Sequence, residues 1–108
     1  MRVLRIKPSQ EPEIINIENT LKSLQQQVEG YIECVTLAPG HVEMIVNEEG
    51  WLLDLPFNEL ASVISERQIV GTVLILQVYD EEFIDISDCV IRNCERIIQE
   101  WKEQNNEI

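Results

Sequence analysis

The chain has 108 residues, 44% of them apolar, which suits one folded domain and excludes general disorder. Its 20 acidic against 8 basic residues give a formal net charge of −12, which argues against direct binding to nucleic acid or an anionic membrane, since phosphate contacts need clustered Lys and Arg. No apolar run nears the ~18 residues of a membrane span, and Pro8 arrives before a signal-peptide core of about 7–15 apolar residues has formed, so a cytoplasmic protein is expected.

Met1 to Lys7 reads as a first strand, with Val3, Leu4 and Ile6 for the core and Arg2, Arg5 and Lys7 guarding a solvent-facing edge. Pro8 to Pro12 is a turn, and Glu13 to Glu18 returns as a second strand. Asn19 is placed to cap a helix whose buried stripe is Leu21, Leu24 and Val28, with Gly30 as its left-handed end. Tyr31 to Leu37 and Val42 to Val46 form a hairpin across Ala38-Pro39-Gly40-His41. After the turn Asn47-Glu48-Glu49-Gly50, Trp51 to Leu55 reads as the third strand of a meander, closed by Pro56.

Asn58 caps a second helix, with Leu60, Val63 and Ile64 on one face. Ile69 to Tyr79 is the most continuous apolar run and reads as a buried central strand, with a bulge or close approach at Val70-Gly71-Thr72. Asp80-Glu81-Glu82 is a solvated turn. Ser87 then caps a final helix over residues 88–104, and residues 104–108 are expected to fray. Val90, Ile91, Cys94, Ile97, Ile98 and Trp101 make a broad stripe on that helix. It serves either as a core face or as a homodimer seam through Val90, Cys94, Ile97 and Trp101, with Trp101 as anchor. The order β-β-α-β-β-β-α-β-α predicts a single α+β domain, residues 1–108: a small mixed or antiparallel sheet with helices on one face and a C-terminal amphipathic helix.

Three cysteines, Cys34, Cys89 and Cys94, form no CxxC motif. Cys89 and Cys94 are about 500° apart on a helix and point to different sides. The one histidine, His41, with Cys34 nearby, falls short of the three or four ligands of a zinc site. No metal, cofactor or catalytic residue is expected. A carboxylate pair, Glu33 facing Glu43 across the hairpin, is the weak argument for an enzyme.

Gly30-Tyr31-Ile32-Glu33, Asn47-Glu48-Glu49-Gly50 and Leu52-Leu53-Asp54-Leu55-Pro56-Phe57-Asn58 together resemble a domain-of-unknown-function family of small proteins from phages, plasmids and conjugative elements. Its members open with a short strand, a Pro-containing turn and a helix leading into GYIE, followed by an NEEG–LxxLPxN block. The resemblance covers residues 1–86, leaving residues 87–108 as a helical extension. It implies a setting in the cytoplasm of a bacterial host and no defined activity.

Within these motifs Gly30 and Gly50 fit positive-φ positions, whereas Glu33, Asn47, Glu48 and Glu49 carry no evident structural duty. The turn carboxylates are either plain solvated charge or, with Tyr31 and Trp51, contacts for a partner or ligand. The acidic charge has a similar pair of readings: solubility alone, or attraction to a basic host protein, including imitation of DNA. The leading expectation is a non-enzymatic accessory protein, dimeric, that binds a host factor. The alternative is an oligomeric protein sequestering a nucleotide signal, for which Arg67, Arg92 and Arg96 would supply phosphate donors.

Overall fold

The computed structural model describes residues 1–39 and 41–105. Gly40, expected in the hairpin turn, and residues 106–108, expected to fray, lie outside the described residues. One antiparallel sheet holds β1 (Arg2–Ile6), β2 (Glu13–Asn16), β3 (Ile32–Ala38), β4 (Val42–Asn47), β5 (Val73–Tyr79) and β6 (Glu82–Ile84). Three helices, α1 (Leu21–Val28), α2 (Glu59–Ser65) and α3 (Asp88–Asn105), complete the α+β architecture. The strand order is β2-β1-β5-β4-β3, and β6 also pairs with β5.

β5 is central because it is apolar on both faces. Val73 and Ile75 join Leu4, Ile6, Met44 and Val46 in one core layer, while Leu74 and Leu76 join Val3 and Ile45 in the other. A sheet that is apolar on both sides needs cover on both sides. α2 and α3 share the first face, through Ala61, Ile91 and Cys94. α1 covers the opposite face with Leu24 and Val28, so the helices do not all lie on one face as expected.

Several local expectations are corrected. β1 lies between β2 and β5, not at an edge, and its arginines are engaged. Arg2 donates to the Ile86 carbonyl (2.8 Å) and Asp88 (2.7 Å), and Arg5 to Glu13 (2.8 Å) and Gln27 (2.9 Å). The cap of α1 is Thr20, whose Oγ1 accepts the Ser23 N–H at 3.1 Å; Asn19 instead donates to the Phe83 carbonyl. Leu21 is exposed. The helix ends in a left-handed residue, but that residue is Glu29 (φ 62°), not Gly30.

Residues 51–54 form successive turns instead of a third meander strand. Leu53 N–H donates to the Glu49 carbonyl (2.9 Å), Asp54 to Trp51 (3.2 Å) and Leu55 to Gly50 (3.1 Å), so these three N–H groups are satisfied locally. Asn58 caps α2 as expected, and the Ser87 hydroxyl accepts the Val90 N–H (3.3 Å) at the start of α3. The long apolar run divides at Gly71, the only described glycine with positive φ (80°), so Gly30 and Gly50 are not positive-φ positions. Val70 bridges to Phe57, and β5 itself starts at Val73.

Candidate functional site

The hairpin register sets the geometry of the motif residues. Glu33 lies opposite Val46 and Glu43 opposite Thr36, so the two carboxylates occupy opposite faces of the sheet and form no pair. Glu43 instead accepts the Thr36 hydroxyl at 3.0 Å. Between them Cys34 is exposed, and its thiol pKa is raised by partial burial first, then by Glu43 and Glu33. Cys94 is buried among core residues, and burial, helped by Glu95, pushes its thiol up to about 11. Both shifts keep the thiols protonated at neutral pH, the reverse of an activated nucleophile. Among the described residues no group of three or more His, Cys, Asp and Glu side chains is arranged to hold a metal ion.

Asn47 has a structural duty that the sequence did not disclose. Its amide donates to the Val28 carbonyl at the end of α1 (3.0 Å), its Oδ1 accepts the Glu49 N–H (2.7 Å), and its carbonyl accepts the Gly50 N–H (3.2 Å). One buried side chain thereby fixes both the helix end and the turn that follows β4. The turn in turn launches an apolar loop into solvent. Trp51, Leu52 and Leu53 are 64%, 84% and 55% exposed, although hydrogen bonds from the Leu53, Asp54 and Leu55 N–H groups hold the loop in shape. Tyr31, whose carbonyl accepts the Glu48 N–H at 2.8 Å, and Phe57 are also exposed at this end of the sheet.

Beneath the loop, Glu33, Asn47, Glu48, Trp51 and Arg67 line one shallow hollow of about 220 Å³. The structure thus brings five of the expected contact residues together. Tyr31 and Glu49 lie outside that lining. Arg92 and Arg96 line a different depression, a groove of about 560 Å³ between α3, α2 and the hairpin, together with Val90, Cys94 and Ile97. Arg67 is therefore not joined to the other two arginines in one phosphate site. Of the expected dimer residues, Cys94 is committed to the core and half-buried Trp101 is absent from the groove lining.

Sequence reasoning missed Leu52, Leu53 and Phe57 as surface residues, and Leu37, Val42 and Ile64 as groove residues. A signal was present for the first set. Trp51-Leu52-Leu53 does not alternate, and a strand lying on one side of a core would. No comparable signal marks the groove, which depends on how α2, α3 and the hairpin come together.

Among the described residues no helix is long and apolar enough to cross a membrane. No curated protein and no solved structure matches the chain. The chain matches the family described as Domain of unknown function (DUF3846) over residues 1–102, and it belongs to that family. The match takes in most of α3 as well as the residues that carry the motif resemblance.

Proposed function

We propose that the chain acts without catalysis, as a small acidic accessory protein of a phage or mobile element that docks on a basic host protein in the bacterial cytoplasm. The observation that carries this reading is the loop at residues 51–53. Three consecutive large apolar side chains stand in solvent on a loop whose Leu53, Asp54 and Leu55 N–H groups are hydrogen-bonded within it, at a cost that folding alone does not require. Aromatic and large apolar anchors with acidic neighbours suit a partner surface that is apolar at its centre and basic around it. Glu48, Glu49, Asp54 and Glu59 provide those neighbours in sequence, within a chain of net charge −12. A DNA-binding protein of the host defence is the partner class whose surface combines both features.

The nucleotide-sequestering alternative receives less support. Arg67 shares its hollow with Glu33 and Glu48, which disfavour a phosphate there.

The test is affinity capture from host lysate with the wild-type chain and with Trp51→Ala/Leu52→Ser, over a range of salt. The expected result is one discrete partner, held by the wild type, weakened by salt and by competing DNA, and lost in the variant while its circular dichroism is unchanged. Retention of the same partner by the variant would remove the loop from the reading. A partner held equally at high salt would remove the electrostatic component.

A further inference from the structure

The groove between α3, α2 and the hairpin plays no part in the loop reading. Its volume of about 560 Å³ is in the size range of small-molecule sites. Leu37, Val42, Ile64, Val90 and Ile97 give it an apolar floor, and Arg92 and Arg96 bring two guanidinium groups to the same depression.

We propose that this groove binds an amphiphilic monoanion, an apolar body carrying one carboxylate or sulfonate, with the body on the floor and the head between Arg92 and Arg96. Charge selects this occupant. Arg2, Arg5, Arg96 and Lys102 each pair with a carboxylate, whereas Arg92, like Lys7, Lys22 and Arg67, has no ion-pair partner among the described residues, and of these four it is the one that lines this groove. Arg92 and Arg96 are also four residues apart on α3, one turn on the same side of the helix, where like charges repel. An anion between them relieves that repulsion. Arg96 is already neutralised, since its Nη1 donates to Glu100 Oε1 (3.0 Å) and its Nη2 to Asn93 Oδ1 (2.7 Å), so Arg92 brings the unmatched charge to the groove. With Arg96 paired to Glu100, Arg92 is the one unpaired cation of the lining, so a single negative charge is matched and a polyphosphate is not.

Cys89 lines the same groove and is exposed, which supplies a position-specific reporter. In a Cys34→Ala background, the exposed thiol that remains is Cys89, because Cys94 is buried. Iodoacetamide labelling of Cys89 is followed by mass spectrometry, alone, with dodecanoate, or with dodecyltrimethylammonium, below the micellar range. Dodecanoate at about ten times its dissociation constant is expected to slow labelling roughly tenfold. The cationic amphiphile should not slow it, and Arg92→Glu/Arg96→Glu should abolish the protection while circular dichroism stays unchanged. Equal protection by both amphiphiles, or protection by neither, would overturn the proposal. Slow labelling without additive that depends on protein concentration would also overturn it, because a second copy would then cover the groove.

Discussion

The side-chain amide of Asn47 occupies the space that a Cβ on Gly30 would need: a built Cβ would stand 2.7 Å from Nδ2. Gly30 is therefore small because of a close approach, not because of its backbone angle. Gly30→Ala is expected to destabilise the fold by about 1–3 kcal/mol, the usual range for overpacking. Asn47→Asp keeps the acceptor for the Glu49 N–H but sets a carboxylate oxygen against the Val28 carbonyl, at a cost of about 2 kcal/mol or more. Urea unfolding of Gly30→Ala, Asn47→Ala and the double variant checks the relationship. The double variant should be more stable than the sum of the two losses, because truncating the Asn47 side chain vacates the contested space.

Asn58 plays a comparable part on the other face. It is buried, its Oδ1 accepts the Ala61 N–H (3.2 Å), and its amide donates to the carbonyls of Ile6 (3.0 Å) and Gly71 (2.8 Å). The residue thus joins α2 to β1 and to the approach to β5. Asn58→Asp retains the cap and loses both donations, leaving two buried carbonyls without this partner. Its cost is expected to exceed the ~1 kcal/mol of an ordinary lost N-cap. Thermal unfolding of Asn58→Asp beside Asn58→Ala separates the two contributions: a fully stable Asp variant would show that the cap alone matters.

Gly71 carries two constraints at once. Its φ of 80° is in the region that L side chains avoid, and a Cβ there would stand 2.8 Å from Leu55 Cδ1. The left-handed backbone alone costs a non-glycine residue roughly 1–2 kcal/mol. Gly71→Ala is expected to lose that and a further packing cost. Leu55→Ala in the Gly71→Ala background should recover the packing part and leave the backbone part, which a double-mutant cycle in denaturant resolves.

What the sequence disclosed follows from how local each cause is. β1 to β5, α2 with its Asn58 cap and α3 with its stripe rest on nearby periodicity and capping, so they were legible. The position of α1 on the opposite face was not, since apolar residues on both faces of β1, β4 and β5 show their meaning only when the strands pair. β6 was also hidden. It begins just past Asp80-Glu81, which is not a dipeptide that announces a tight hairpin. The motif residues proved mixed in kind. Asn47 is structural, whereas Glu33, Glu48, Trp51 and Arg67 come to one hollow from separate segments of the chain, which their spacing in sequence does not reveal.

Cys94 gives the fold an alkaline limit. Burial raises its thiol from 9.0 to about 11, so the folded state holds a proton that the unfolded chain releases between those values. The stabilising difference is fully present below pH 9 and is lost as pH rises through the folded-state value. The two-unit gap corresponds to on the order of 2–3 kcal/mol. Urea midpoints measured from about pH 8 to pH 11 should fall more steeply for the wild type than for Cys94→Ala, which lacks the group. Parallel slopes would show that other titrations, not this thiol, set the alkaline limit.

The β5–β6 hairpin turns on Asp80 and Glu81, both at positive φ (50° and 65°), between the paired residues Tyr79 and Glu82. Two left-handed central residues define a type I′ turn, for which Asn-Gly is the favoured pair. Glu81 therefore bears a backbone cost that glycine does not, and Asp80 and Glu81 add adjacent like charges beside Glu82. Glu81→Gly is expected to stabilise by about 1 kcal/mol, the left-handed cost less the extra freedom of glycine in the unfolded chain. Asp80→Asn should add a smaller gain. The gain should reach β1 as well, since the chain leaving β6 accepts the Arg2 N–H on Asp85 Oδ1 (2.9 Å) and donates the Ile86 N–H to the Arg2 carbonyl (2.9 Å). Amide hydrogen exchange at Ile86 reads this directly, and slower exchange there in Asp80→Asn/Glu81→Gly is the expected outcome. Unchanged exchange with a higher melting temperature would confine the effect to the turn; an unchanged melting temperature would mean that the left-handed pair carries no strain.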